Sequence, residues 1–368
     1  MTSTERTPSL RARLAIVAGL GLLALTASGL YVARRARAEQ ERRAAAARAL
    51  EQRESALRAS GVDTSSLVAR IRRGPHVLFL EPRSRLPALL AFTPLDPVLR
   101  APLERGRVLT SIEAERVYAA GPQLVGLGVH AGLDGALETG AFVLDSELRV
   151  VRRFHLQGLP SRVRGSRDGT RAAATFFVTG DSYSGGGFST RTYLLDLTGT
   201  DDVTDLEVFD VLRDGAYLDA LDRNFWGVTF FDPPGRFLAT VGTGAERLLV
   251  DMDERSKRGT VLHSAVECPS LAPDHRRVAF KRRVKDPEER WTIATLDLST
   301  GVEHVLTEER RNVDDQVEWL DDAQVLYAVA RPDGSGGVSS DVWVSAVDRD
   351  EPPAIFLEDA RSPCVVRP

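Results

Sequence analysis

Lysine is nearly missing from this chain: Lys257, Lys281 and Lys285 are the three present in 368 residues, and every other basic side chain is arginine. That is the mark of a GC-rich coding bias and carries little functional information. Basic charge is not in surplus either. The net charge of −4 and the pI near 6.0 leave nothing to neutralise a phosphate backbone, which argues against nucleic acid as the main partner. Cysteine occurs twice, at Cys268 and Cys364, with no C-x-x-C and no Cys/His spacing of a metal site. No G-x-S-x-G is present to hold a hydrolase nucleophile, although Gly180-Asp181-Ser182 has a superficial likeness to such a turn. None of the histidines, His76, His130, His155, His263, His275 and His304, is paired at a metal spacing.

Charge is absent in a different way near the N-terminus. Leu14 to Ala33 runs twenty residues without a charged side chain, enough for a helix about 30 Å long, the thickness of a bilayer core. A cleaved signal peptide would have a shorter apolar region, roughly 7–15 residues, and the only good A-x-A site, Ala36-Arg37-Ala38, lies beyond two arginines. The expectation is an uncleaved anchor: a polar tail over 1–13, a transmembrane helix over 14–33, and a helical stalk or linker over 34–73, rich in Ala, Glu, Gln and Arg. Gly61 ends the stalk, and Asp63 to Ser66 caps a short helix running to Arg72. Arginines are more numerous after the span than before it, which by itself keeps the downstream part in the cytoplasm. Large downstream domains cross despite such flanks.

From Gly74 onward 43% overall hydrophobicity is dealt out in short runs that repeat. AFTPLD ends at Asp96, AFVLD at Asp145, TYLLD at Asp196, RLLVD at Asp251, WTIATLD at Asp297 and VWVSAVD at Asp348, separated by 49, 51, 55, 46 and 51 residues. Strands recurring at this period predict an all-β, six-bladed β-propeller over 74–368, one four-stranded blade per repeat. Inner strands are expected at Arg116–Ala120, Ser161–Arg164, Trp226–Phe231, Cys268–Leu271 and Val317–Leu320. The first blade lacks its own, and the C-terminal Cys364–Arg367 is expected to supply it and close the ring. Val98–Leu103 and Leu206–Phe209 read as the outer strands of blades one and three. The recurrent aspartates are expected to accept hydrogen bonds from the amides that follow them. The cysteines, on inner strands two blades apart, are expected to be buried free thiols.

Several segments carry more than a generic blade: FFVTGDSYSGGGFSTRTYLLD (176–196), DRNFWGVTFFD (222–232), VECPSLAPDHRRVAFK (266–281), VDDQVEWLDD (313–322) and SPCVVR (362–367). Over roughly residues 75–368 the chain resembles the TolB-like group of membrane-anchored actinobacterial proteins, whose activity is unassigned. The resemblance implies a propeller outside the cytoplasm. TolB, similar in its repeat, binds a lipoprotein of the cell envelope through its channel, so the resemblance implies a protein or peptide partner there. Anchor, stalk and propeller use every residue, so no counterpart of TolB's α/β domain is expected, which sets the chain apart from a Tol-type role.

Ligands of propellers meet the axial channel or a loop face. Charged and amide groups at inner strands are the candidate binding residues: Arg162, Arg164, Asn224, Trp226, Glu267, Asp314, Asp315, Gln316 and Glu318. The alternative for them is to satisfy backbone groups and water in the channel. The hairpin loop DSYSGGGFSTR, from Asp181 to Arg191, is longer than blade geometry requires and adds Asp181, Tyr183 and Phe188. No catalytic residue, metal ligand or cofactor is assigned. The expected function is a non-catalytic binding module or scaffold for an envelope protein, held by a single span at the cell membrane. The alternatives are a metal-dependent, lactonase-like hydrolase using Asn224, Glu267, Asp315 and Glu318, and a scaffold or sensor on the cytoplasmic face.

Overall fold

The computed structural model describes Arg34 and residues 64–83, 86–103, 106–131, 137–178, 189–200, 202–285, 288–332 and 337–367. The chain divides into two units, Met1–Val62 and Asp63–Pro368; apart from Arg34, the described residues belong to the second. The span expected over 14–33 and most of the stalk lie outside the described residues, among which no helix is long and apolar enough to cross a membrane.

A short helix, α1 (Thr64–Ile71), leads into six β-sheets. Blade one is ordered β26 (Arg361–Val366), β1 (His76–Arg83), β2 (Leu86–Pro94) and β3 (Val108–Ala114). Blade two holds β4 (Arg116–Ala120), β5 (Gln123–Ala131), β6 (Leu137–Leu144) and β7 (Val150–His155), and blade three β8 (Leu159–Gly165), β9 (Arg171–Val178), β10 (Ser189–Asp196) and β11 (Val203–Asp205). Blade four runs β14 (Asn224–Phe230), β15 (Arg236–Thr243), β16 (Glu246–Asp253) and β17 (Arg258–Ser264), then outward to β12 (Asp210–Arg213) and β13 (Ala216–Tyr217). Blade five comprises β18 (Glu267–Leu271), β19 (Arg277–Lys285), β20 (Glu289–Asp297) and β21 (Glu303–Val305); blade six comprises β22 (Glu318–Asp321), β23 (Gln324–Pro332), β24 (Val338–Ala346) and β25 (Ala354–Leu357). The C-terminal strand takes the inner place of blade one, with His76 opposite Val366 and Leu78 opposite Cys364.

Period-two alternation explains why the blades stack. On β1, Val77 and Phe79 face blade six, whereas Leu78 and Leu80 face blade two. On β15, Phe237, Ala239 and Val241 join Phe225 and Phe209 toward blade three, and Leu238 turns toward blade five with Phe280. Because each middle strand is covered on both faces, it reads as a near-continuous apolar run. Apolar cores therefore lie between neighbouring blades all the way round. Val68 of α1 enters the one between blades one and two, and Arg72 just after the helix donates to the carbonyls of Pro122 (2.6 Å) and Ser146 (3.0 Å).

Two outer strands differ from expectation. Val98–Leu103 is not a strand: Pro97 and Pro102 remove donors, Arg100 has a left-handed φ of 52°, and Val98 and Leu99 are exposed. The outer strand is β3. In blade three, pairing stops at Asp205, whose side chain caps a 3-10 turn over Leu206–Val208. Leu206 and Phe209 are buried in the core against blade four rather than in a sheet, and the chain continues as β12, which runs parallel to β17 at its outer edge.

Asp96, Asp145, Asp196 and Asp297 make the expected turns, accepting from the amides of Leu99 (2.8 Å), Glu147 (3.0 Å), Thr198 (2.7 Å) and Ser299 (2.9 Å). Blade four slips by two residues: Asp251 pairs with Arg236, and Asp253 accepts from the Ser256 amide at 2.7 Å. At Asp348 the turn is closed instead by the Glu351 amide on the Arg349 carbonyl, 3.0 Å.

Candidate functional site

Inner strands are bulged where they line the axis. The ladder slips between Pro160 and Arg162, Trp226 and Thr229, and Glu267 and Ser270. A bulge bends the strand and re-aims its side chains. At Gly227 the bulge needs glycine: φ is +65°, and a Cβ would lie 2.5 Å from the Cα of Cys268 on the next blade. Cys268 and Cys364 are both buried and free.

Along the axis the candidate residues separate into layers. Arg164 and Glu318 meet deep in the channel at 2.7 Å, both nearly fully buried. Tyr118 of β4 donates its hydroxyl hydrogen to Glu318 Oε2 at 2.8 Å, and Arg164 Nη1 donates to the same hydroxyl at 2.7 Å. Arg164 also stacks over the Tyr118 ring and donates to the Val317 carbonyl at 3.0 Å, while the Val365 amide donates to Glu318 Oε1 at 3.1 Å. Inner strands of blades one, two, three and six are thereby tied across the axis. Burial pushes the Glu318 carboxyl above its ordinary range, and Arg164 offsets only part of that. The pair plugs the channel.

One layer up, Asp315 accepts from the Ser362 amide at 3.2 Å, and Gln316 lines a small void with Arg162, Arg164 and Cys268. Arg116 of β4 donates to the Ser161 carbonyl at 2.6 Å; burial, then the charge of Arg162, bring its guanidinium down to about 10.

The mouth beyond this layer is a cleft of about 440 Å³ between blades three, four and five. Arg162, Asn224, Trp226, Glu267 and Asp314 all line it. Lys281 and Arg162 both donate to Asp314 Oδ1, at 2.5 and 3.1 Å. Burial raises the Asp314 carboxyl, but these two cations outweigh it and its pKa lies below the usual value. Trp291 donates its indole N–H to Glu267 Oε1 at 3.0 Å. Cations stack on both indoles: Lys281 and Arg283 over Trp291, at 4.5 and 5.1 Å, and Arg247 over Trp226 at 5.4 Å. Asn224 is a clamp between blades three and four. Its oxygen accepts from Ser189 Oγ (2.6 Å) and the Thr190 amide (2.9 Å).

Lys281, Trp291, Arg283 and Arg247 were not among the sequence candidates. They stand on β16, β19 and β20, whose ends rise to the rim, outside the inner strands and the hairpin loop that hold the sequence candidates. Asp181, Tyr183 and Phe188 lie outside the described residues. The oxygens proposed for a cation, from Asn224, Glu267, Asp315 and Glu318, are spread over the mouth, the middle layer and the plug, each engaged by protein donors. Among the described residues no group of three or more His, Cys, Asp or Glu side chains could hold a metal.

The other end of the channel opens into a larger cavity, about 1410 Å³, rimmed by α1 and by the turns between first and second strands. Three of its rim arginines are committed: Arg100 to Asp321, Arg367 to the Leu320 carbonyl, and Arg72 to main-chain oxygens. The smaller mouth, where indoles and cations share one wall, is the candidate site.

No protein-family model matches the chain, and no curated protein does. Among solved structures, TolB from Acinetobacter baumannii superposes with a TM-score of 0.53 at 16% identity, over 80% of this chain and 67% of that one. A putative TolB from Agrobacterium tumefaciens gives 0.45 at 12% identity, over 77% and 88%. An oligogalacturonate lyase from Vibrio parahaemolyticus gives 0.44 at 10%, over 76% and 73%. The first of these likenesses establishes that this chain shares the propeller fold of TolB.

Proposed function

We propose that this chain is a membrane-tethered propeller that binds a segment of a protein or peptide partner in the cell envelope, at the cleft walled by Trp226 and Trp291. The observation that carries the reading is the composition of that cleft. Two indoles, one donating to Glu267 and both stacked under cations, stand beside Arg162 and Lys281 in a concavity of about 440 Å³. Trp and Arg dominate the energetics of protein recognition because they offer large rigid area together with directed polar groups. The buried Arg164–Glu318 pair closes the channel below, so a partner engages the mouth rather than threading the ring. The propeller fold shared with TolB supports a binding module. The tether rests on the uncharged stretch 14–33, and the extracytoplasmic side on the resemblance of the sequence.

The reading is tested by crosslinking in intact cells followed by capture of the full chain. A discrete crosslinked species from the wild type, lost in Trp291→Ala with the fold intact by circular dichroism, is the expected result. Capture equal between wild type and variant removes the cleft from partner binding. A phosphatase that works only outside the cytoplasm, fused after Pro368, is expected to be active. A stable but inactive fusion moves the ring to the cytoplasmic face.

A further inference from the structure

Asp314 is unlike the cations it touches. Its side chain is 53% exposed, whereas those of Arg162 and Lys281 are 10% and 5% exposed. A carboxylate reaching in from solvent thus satisfies two cations held in the wall. One oxygen, Oδ1, takes both contacts. The cations keep donors to spare: Arg162 Nε is buried without an acceptor, and Lys281 meets Asp314 with one of its three protons and the Trp291 ring at 4.5 Å. Arg162 Nη1 is taken by the Ser161 carbonyl at 2.9 Å, so the one carboxylate that the buried lysine and the buried guanidinium share is a half-solvated side chain, and the two make a preformed anion site with a loose occupant.

The backbone around Asp314 is firm while its side chain is not packed. Val313 is fully buried and its amide donates to the Trp291 carbonyl at 2.9 Å; Asn312 accepts from the Trp291 amide at 2.9 Å. Asp315 is held from blade one. Rotation of the Asp314 side chain alone would therefore uncover Lys281 and Arg162 and leave the wall standing. With Asp314 turned away, the cleft carries Arg162, Lys281, Arg247 and Arg283 against Glu267 and Asp222. Asp222 is already satisfied by Thr243 Oγ1 and the Gly244 amide, both at 2.6 Å, and Glu267 by Trp291 and by Arg283, which also pairs with Glu289 at 3.2 Å, so the charge left over lies on Arg162, Lys281 and Arg247. The excess is positive. Beside it the half-buried Trp226 indole lies against Gly242, where a Cβ would meet the ring at 2.4 Å, and under Arg247, so an aromatic side chain flanks the charged pocket.

We infer that this cleft receives the free C-terminal carboxylate of a peptide, and that Asp314 is an internal stand-in which the incoming carboxylate displaces from Lys281 and Arg162. The carboxylate supplies what Asp314 supplies, with a second oxygen for the unused donors, and the residue preceding it lies beside the indoles. This rests on the binding-module reading above and names the group that the module recognises.

The probe is a synthetic mixture of seven-residue peptides, random at each position, prepared as free acids and separately as C-terminal amides. It is passed over the immobilised full chain in detergent, and retained peptides are quantified by mass spectrometry. Free acids should be retained at least about tenfold over amides, the worth of a charge-assisted hydrogen bond. Asp314→Asn, which keeps shape and removes the competing charge, should raise retention of acids about tenfold. Lys281→Gln should abolish the preference for acids, with melting temperatures confirming that both variants fold. N-acetyl-phenylalanine should compete weakly, separating a peptide terminus from any small acid. Equal retention of acids and amides overturns the carboxylate inference while leaving a peptide-binding module in place. Retention of neither, or no gain in Asp314→Asn, also overturns it, and the crosslinking experiment then decides the module reading separately.

Discussion

A carboxyl group buried beside another carboxyl group gives up its proton late. Glu207 sits in the 3-10 turn after β11; burial, and then the charge of Asp205, raise it to about 7, with Arg223 and Arg191 offsetting part. The folded chain thus holds this proton more tightly than the unfolded chain, whose glutamates titrate at about 4.3. Its contribution to stability is complete below that value and is lost as pH rises through 7. Glu207→Gln should therefore be more stable than the wild type at pH 8, by on the order of 2 kcal/mol, and little different at pH 4, by urea denaturation. Asp297 has the opposite sign. Ser299 Oγ, then the Thr300 amide, hold it at about 2. Its stabilisation is present above the unfolded value near 3.9 and is lost as pH falls through 2. The gap in melting temperature between wild type and Asp297→Ala should be open at pH 6 and narrow between pH 4 and pH 2.

Among the elements, the inner strands carry the strongest coupling. Glu318→Leu leaves Arg164 buried without its carboxylate and should cost about 3–5 kcal/mol. Arg164→Met with Glu318→Leu should recover most of that loss, because an apolar pair of similar volume replaces two buried charges. A double-mutant cycle by chemical denaturation checks this; additive losses would mean that the two side chains do not act as a pair. Strand legibility follows the same division. The middle strands and their turns were readable because both faces are buried and an aspartate marks the end, as at β20 and Asp297. The outer strands divide: those of blades two, four, five and six, β7, β17, β21 and β25, were readable from their short runs, and those of blades one and three were not. β11 is three residues long and partly exposed, so its pattern carries little signal, and the apolar Leu206 and Phe209 pointed to a sheet when they fill a core between blades.

At the scale of the molecule, the six repeats in the sequence correspond to the six sheets, and the ring could be read from spacing alone. The site could not. Arg162 and Asp314 meet although 152 residues separate them, and Lys281 reaches the same oxygen from a third blade. No local pattern records which residues a closed ring will bring together at its rim. The whole-ring test of the hydrolase alternative is chelation. With Glu318, Asp314, Asp315 and Glu267 engaged by protein donors, a chelator should leave the melting temperature unchanged. A fall of several degrees, reversed by one added divalent cation, would restore the cation reading.

The pairing of β26 with β1 sets the tempo at which the molecule is made. His76 and Val366 are 290 residues apart (366 − 76), whereas Phe79 and Ala91 in the adjoining hairpin are 12 apart (91 − 79). The extra entropy of joining the distant pair is roughly 3 kcal/mol, a small charge against a whole ring, because it grows only with the logarithm of separation. The delay is another matter: contacts between residues far apart in sequence form slowly, and structures dominated by them fold slowly. Until then blade one exposes a strand edge able to accept a foreign strand. Assembly of the ring is thus a search by the first and last strands of the propeller, and the hazard of misassembly is concentrated in that interval.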